Sequence, residues 1–401
     1  MRLRLEKILW SLLFLALPVQ TAKHFWPGYS FVNNLPVDYL SPVISFTDIL
    51  IFLLLIIKFP VLPKLNKFHL IIIFFVIINI LSSISPLVTL YQYFHLAFYY
   101  VFFLRLTQSL KVSFHIMAEY LPLSAVWSVI LALMQIVKQS SLGGFLPWLG
   151  ERPLSLFSLN IAKISLGKLG IFLRPYATFP HPNAMAGYLL VTYFISLYFI
   201  TVNKKSIVPQ LGLVFSLAGI LISFSRSVMV SLGLAFLIIN IKNNRIIGIL
   251  ISSLALLSII YFSINIGSQT SLTDRFYLLE KAFTIISSRP LLGIGLGNFS
   301  KFVYSPSPTG FYLEVQPVHN LILLFVSEIG LPFFIMAIIL FWRAGIYNIF
   351  HSDICLQLSL MSVFLISLVD HYWFTSDSNL LLLILLFTLI KFDINNYAQK
   401  S

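Results

Sequence analysis

The sequence predicts an all-α polytopic membrane protein: one integral membrane unit over 1–401, about twelve transmembrane helices, and both termini in the cytoplasm. Three observations predict it. The chain has 401 residues, of which 59% are hydrophobic and only 10% charged, where a soluble domain carries about 25% charge; mean hydropathy is +0.94. Apolar runs recur at about the 20-residue length that crosses a bilayer. Lysine and arginine gather in alternate short gaps between those runs, as the positive-inside rule requires.

Taken in order, the runs are 8–20, 43–61, 68–85, 87–104, 116–137, 183–202, 207–224, 228–241, 246–264, 319–342, 354–369 and 378–390. The first follows Arg2, Arg4 and Lys7, a pattern shared with secretory signals. No small-x-small cleavage site follows it, so an uncleaved first helix is expected. Inner gaps carry Lys58, Lys64, Lys67, Arg105, Lys111, Lys204, Lys205, Lys242, Arg245, Arg343 and Lys391. The outer turns 82–90 and 370–377 carry neither Lys nor Arg. The exception is Ser225-Arg226-Ser227, where an arginine opposes the topology signal and needs another reason to be there.

Two long segments, 138–182 and 265–318, fall outside; connections this long are usually functional or disordered. The first ends in RPYATFPHPN, whose Pro175, Pro180 and Pro182 exclude a helix; Asn183 then fits as the N-cap of the sixth span. In the second, Ser271 or Thr273 opens a helix that must stop before Pro290. Phe276, Leu279, Phe283 and Ile286 recur at helical spacing against Arg275, Glu280 and Lys281, which predicts an amphipathic helix on the outer interface. GIGLGNF, residues 293–299, reads as a flexible turn.

Composition also excludes functions. The net charge is +13, but the basic residues sit where topology and lipid headgroups explain them, so no nucleic-acid partner is expected. Cys355 is the only cysteine, which excludes an internal disulfide and a cysteine metal cluster. No phosphate-binding P-loop appears. No metal-ligand spacing stands out, so neither metal nor cofactor is expected.

The candidate chemistry lies on the non-cytoplasmic side. If a helix starts at His319, then His319, Leu323, Val326 and Gly330 share one face at 100° per residue, with Glu328 about half a turn away. Histidine titrates near neutrality and can take a proton from a hydroxyl; a helix-start histidine also serves as a plain interfacial residue. Asn320 either orients it or caps the helix. Glu328 reads as a hydrogen-bonded core acid, and His181 as a shaper of its proline-rich loop. Asp370-His371 is a second acid/base candidate. Arg226, Arg275 and Arg174 are either solvated charges or a fixed cradle for phosphate, which guanidinium binds in bidentate fashion.

Four pieces resemble a known family: RPYATFPHPNAMAGY (174–188), SFSRSV (223–228), DRFYLLEKAF with RPLLGIGLGNF (274–299), and HNLILLFVSEIGL (319–331). Together with the span plan they resemble, over roughly 120–390, the O-antigen ligase and O-antigen polymerase superfamily of bacterial membrane glycosyltransferases. The family's histidine motif is His, then Asn, Ser or Gln, nine residues, Gly, two residues, then Gly, Thr or Tyr; His319, Asn320 and Gly330 match and Phe333 departs. The resemblance implies a bacterial inner-membrane enzyme, active at the periplasmic or extracellular face. It implies a polyprenyl-pyrophosphate-linked glycan as donor, a glycan or lipid A-core acceptor, and metal-independent, inverting transfer. It assigns catalysis to His319 and donor-pyrophosphate binding to Arg226, Arg275 and Arg174. The competing reading of the architecture is a lipid-linked glycan transporter or flippase without chemistry.

Overall fold

The computed structural model describes residues 2–158, 161–165, 167–265, 269–303, 315–343 and 346–398. The chain begins with helix α1 (Arg2–Leu15), whose Trp10, Leu13 and Phe14 are buried. A segment with two antiparallel strand pairs follows: β1 (Ala22–His24) with β4 (Val43–Ser45), and β2 (Phe31–Val32) with β3 (Leu35–Pro36). Helix α2 (Phe46–Ile57) starts from a capping box in which Ser45 and Asp48 satisfy each other's backbone N–H groups. Helix α3 (Lys67–Ser82) then leads into α4 (Pro86–Lys138).

The sequence predicts two spans within α4, separated near Arg105–Lys111, and the structure shows helix throughout. Its contacts nevertheless reverse. His95 meets Asp48 at the start of α2, Arg105 pairs with Glu6 near the start of α1, and Gln108 bonds Val61 beyond the end of α2. Trp127 then donates to the carbonyl of Leu15 at the far end of α1. The two halves therefore run in opposite senses. Ser109 and Ser113 return their hydroxyls to carbonyls one turn back at the reversal, an interaction that bends helices.

After the pair β5 (Lys163–Ser165) and β6 (Ile171–Leu173), α5 (Pro182–Val202) forms the central post. Every residue from Ala184 to Ser196 is buried, as expected of a helix apolar all round. Around it pack α4, α6 (Ile207–Ser223), α7 (Arg226–Lys242), α13 (Ile354–Ser367) and α15 (Asp377–Ala398). Helix α8 (Ile246–Asn265) lies against α7. Helix α3 leaves Leu70, Ile73, Phe74 and Ile77 exposed, and α8 leaves Ile247, Leu250, Ile251 and Leu254 exposed. Such contiguous apolar faces are the surface that a bilayer covers. Among the described residues, Pro86–Leu110, Val112–Lys138 and Pro182–Val202 are long and apolar enough to cross a membrane. Helices α2, α3, α6 and α13 are apolar but shorter.

The predicted single span 319–342 is broken. It consists of α11 (Leu321–Ile329) and α12 (Leu331–Arg343), bent by 119° at Gly330. His319 precedes α11 and Gly330 ends it, so the two do not share a helical face; Phe333, the departure from the motif, lies past the break. The physical reason is a cap. The backbone N–H groups of Ile294 and Gly295 donate to the carbonyls of Ser327 and Glu328 at 3.0 and 2.9 Å, satisfying the orphaned end of α11. The N–H of Leu331 donates to Pro290 O. GIGLGNF is therefore a docked cap with Ile294, Leu296 and Phe299 buried, contrary to the flexible turn expected. Gly330 has φ +77°, and a Cβ there would meet the carbonyl of Leu291 and lie 2.8 Å from Leu292 N. We expect Gly330→Ala to cost about 2 kcal/mol or more through backbone strain and this clash, read as a lower melting temperature in detergent.

Helix α9 (Gln269–Ser288) stops before Pro290 as predicted, but its packing stripe differs. Leu278, Ala282 and Ile285 are buried in a cluster shared with Leu324 of α11, whereas Phe276 and Phe283 are exposed. The residues chosen by spacing therefore include the outward stripe. Short helices α10 (Phe299–Val303) and α14 (Tyr372–Thr375) complete the described chain.

Candidate active site

A cavity of about 2050 Å³ opens between the ends of these helices and the strand-bearing segments. Its lining includes Arg174, His181, Asn183, Arg226, Arg275, His319 and Glu328. Of the residues singled out from sequence, only Asn320 and Gly330 do not line it, and both shape it. Asn320 is the N-cap of α11, accepting from Leu323 N at 2.9 Å, and its Nδ2 donates to Leu368 O at 2.9 Å. It thereby ties His319 to the turn that carries Asp370 and His371.

That turn brings titratable side chains together. Ligand-capable atoms of His319, Asp370 and His371 all lie within 4.8 Å of one another, and the two imidazole centroids are 5.1 Å apart. Asp370 is buried. Its Oδ1 accepts from the N–H of His371 and its Oδ2 from Asn183 Nδ2 at 3.1 Å. Burial alone would raise its pKa, but His371, His319, His181 and Arg275 offset that and leave it lowered. Asp370 is thus an anion among imidazoles. His371 Nδ1 is occupied by Thr375 Oγ1 at 2.8 Å, and burial pushes its pKa down to about 4. His319 Nδ1 is buried without a hydrogen-bond partner among the described residues. Burial lowers the pKa of His319, helped by Arg275 and opposed by Asp370 and Asp274. Its neutral imidazole is therefore the form present at pH 7, with a nitrogen ready to accept a proton.

The arginines surround this cluster. Arg174 follows β6; its Nε donates to Ser223 O and its Nη2 to Asn183 Oδ1, both at 2.8 Å. A relay Arg174–Asn183–Asp370 results. Burial, and then the charges of Arg226 and Arg275, push the pKa of Arg174 down to about 10, so it stays cationic at pH 7. Arg226 and Arg275 both bear on Arg174, and the three guanidiniums on one cavity form a positive field that favours an anion. Arg226 stands at the first position of α7, after Phe224 turns the chain with φ 51°. A helix N-terminus adds unpaired N–H groups and a positive dipole end to that field. Arg275 projects from α9, with Nη1 3.4 Å from Val369 O.

One sequence assignment changes and another holds. Asn183 is not the cap of α5: His181 caps it, with Pro182 next and Nδ1 of His181 accepting from Asn183 N at 3.1 Å. Crowding by protein and the charge of Arg174 lower the pKa of His181, although its ring surface opens to the cavity. Glu328 is held as a structural acid: Oε1 accepts from Phe299 N at 3.0 Å, anchoring the cap of α11.

Sequence reasoning missed the segment between α1 and α2. His24, Asp38 and Tyr39 line the cavity, and the Tyr39 ring meets His371 edge-on at 6.1 Å. Burial pushes the Tyr39 phenol up to about 12, with Arg152 opposing and Asp370 adding to it; the hydroxyl is a donor at neutral pH. The only hint was an unusual density of aromatic residues in 24–40, which interfacial belts explain equally well.

Residues 211–338 match a protein-family model described as O-antigen ligase, which supports the superfamily resemblance read from the motifs. The matched stretch contains Arg226, Arg275 and His319, whereas Arg174, Asn183 and the Asp370-His371 turn lie outside it. No curated protein and no solved structure matches the chain.

Proposed function

From an O-antigen ligase match over residues 211–338, we propose that this membrane protein transfers a glycan from a polyprenyl-pyrophosphate carrier to a hydroxyl at the non-cytoplasmic face of the bacterial inner membrane. The acceptor is a growing glycan or a lipid A-core. The supporting observation is the convergence of Arg174, Arg226, Arg275 and a neutral His319 on one cavity.

In this reading the donor's pyrophosphate docks against the three guanidiniums and the start of α7. The acceptor hydroxyl faces His319. As the acceptor oxygen bonds to the anomeric carbon, the imidazole takes its proton, and the bond from that carbon to the phosphate oxygen breaks. The polyprenyl pyrophosphate leaves with its charge balanced by fixed cations, which is electrostatic stabilisation of the departing group without a metal. A single displacement inverts the anomeric configuration. Asp370, held by Asn183, stabilises the imidazolium that forms.

The test is reconstitution of the purified protein with a polyprenyl-pyrophosphate glycan and a hydroxyl acceptor, scoring the new glycosidic bond and its configuration. Movement of the donor across the bilayer without any new bond would identify a flippase and overturn the proposal. A pH profile is a further check. The base must be neutral, and the pKa of His319 is lowered from 6.5. We expect the rate to hold as pH falls to the usual histidine range and to drop only below it.

A further inference from the structure

We propose that Asp48, His95 and Asp377 form a divalent-cation site at the wall of this cavity, independent of whether the protein transfers glycans. One carboxylate or nitrogen atom from each lies within 4.8 Å of the others. The three come from the start of α2, the first half of α4 and the start of α15, so they are far apart in the chain. His95 and Asp377 line the cavity, which gives a hydrated ion a way in.

Unused ligand atoms point to an occupant. Asp48 is 7% exposed. Its Oδ2 accepts from Ser45 N in the helix cap, and its Oδ1 has no hydrogen-bond partner among the described residues. His95 Nε2 faces that oxygen at 3.5 Å, within ion-pair reach, and neither atom is hydrogen-bonded to any other described residue. The imidazole is fixed between Tyr91 and Tyr99, at centroid distances of 5.7 and 4.4 Å. Two carboxylates are thus held together, and among the described residues no lysine or arginine pairs with either. Bringing like charges together out of water is costly unless a cation joins them.

A second group, one carboxylate with two imidazoles, serves as the contrast. His319, Asp370 and His371 are equally close, but Arg275 bears on all three and Arg174 is tied to Asp370 through Asn183. That field repels a metal ion and favours a phosphate. The Asp48 group has only a histidine to balance it. Two carboxylates and one imidazole suit a first-row divalent ion that takes mixed oxygen and nitrogen ligands, with water in the remaining positions. Bound there, the ion would tie α2, α4 and α15 together at the wall of the cavity.

The test uses the full-length protein in detergent and Mn²⁺ alone, following the free-ion signal by electron paramagnetic resonance. We expect one saturable site. Asp377→Asn and His95→Gln should each weaken it by about 100-fold or more, since losing even an outer partner of a ligand costs about 10- to 100-fold. His371→Gln should leave it unchanged. The absorption of Co²⁺ bound to the unaltered protein gives a readout that needs no variant, and an oxygen–nitrogen ligand spectrum is expected. Absence of saturable binding to the unaltered protein overturns the site and leaves the His95–Asp48 contact as an ion pair. Binding retained in both variants, or lost in His371→Gln, also overturns it.

Discussion

Replacing His319 by alanine is expected to lower glycan transfer by roughly 10²- to 10⁴-fold, the usual contribution of a positioned general base, or about 3 to 5 kcal/mol in the barrier. The fold should tolerate the change. His319 stands outside α11, whose first turn is capped by Asn320. Its Nδ1 has no hydrogen-bond partner among the described residues, so no hydrogen bond is lost at that atom, and the ring contact removed is the edge-on one with His371. His371 should not substitute as the base. Its Nδ1 is taken by Thr375, and its pKa, near 4, makes it a weak proton acceptor. The measurement is the initial rate of glycosidic bond formation at equal folded protein, with the melting temperature recorded beside it. A variant that melts normally and transfers at the full rate would remove His319 from the mechanism. Asp370→Asn should give a smaller loss. It keeps an acceptor for His371 N, sets an N–H where Asp370 Oδ2 accepted from Asn183 Nδ2, and removes the anion that stabilises the imidazolium.

How much of this was readable without coordinates follows from what each signal measures. Hydropathy reports whether a stretch prefers lipid, so α5, α6, α7 and α8 were legible to within a few residues of their observed ends. Arg226 stood out for a related reason: it is a charge between apolar runs that the topology rule does not explain, and it lines the cavity. The break at Gly330 was not legible, because it depends on a cap supplied by Pro290–Gly295, far upstream. Apolar residues continue on both sides of the break, and nothing in their pattern indicates that the carbonyls of Ser327 and Glu328 are bonded elsewhere. The Asp48–His95–Asp377 group was hidden in the same way. Its members occupy three helices, and lateral neighbours in a bundle leave no periodic trace. Asp370 and His371 were visible as polar residues at a turn, but only the fold brings them against His319.

Arg275→Ala is expected to lower the rate by about 10²- to 10³-fold, the cost of removing one donor from a preorganised charge-stabilising site. It should also move the pH profile, and the sign follows from the fields in the cavity. The Arg275 charge is among the causes that lower the pKa of His319. Without it that pKa rises toward the ordinary histidine value, so the acidic fall in rate moves to higher pH. Arg275→Lys separates the two effects. Lysine keeps a positive charge near His319, so the acidic limb should stay close to its original position, but it loses the planar fork that grips two phosphate oxygens, so part of the rate loss should remain. Arg226→Ala offers the comparison, because the charges that bear on His319 are those of Asp370, Arg275 and Asp274: a loss of rate with an unmoved acidic limb is expected. If Arg275→Ala lowers the rate while leaving the limb where it was, the side chain acts on the donor alone, and its electrostatic coupling to the base is wrong.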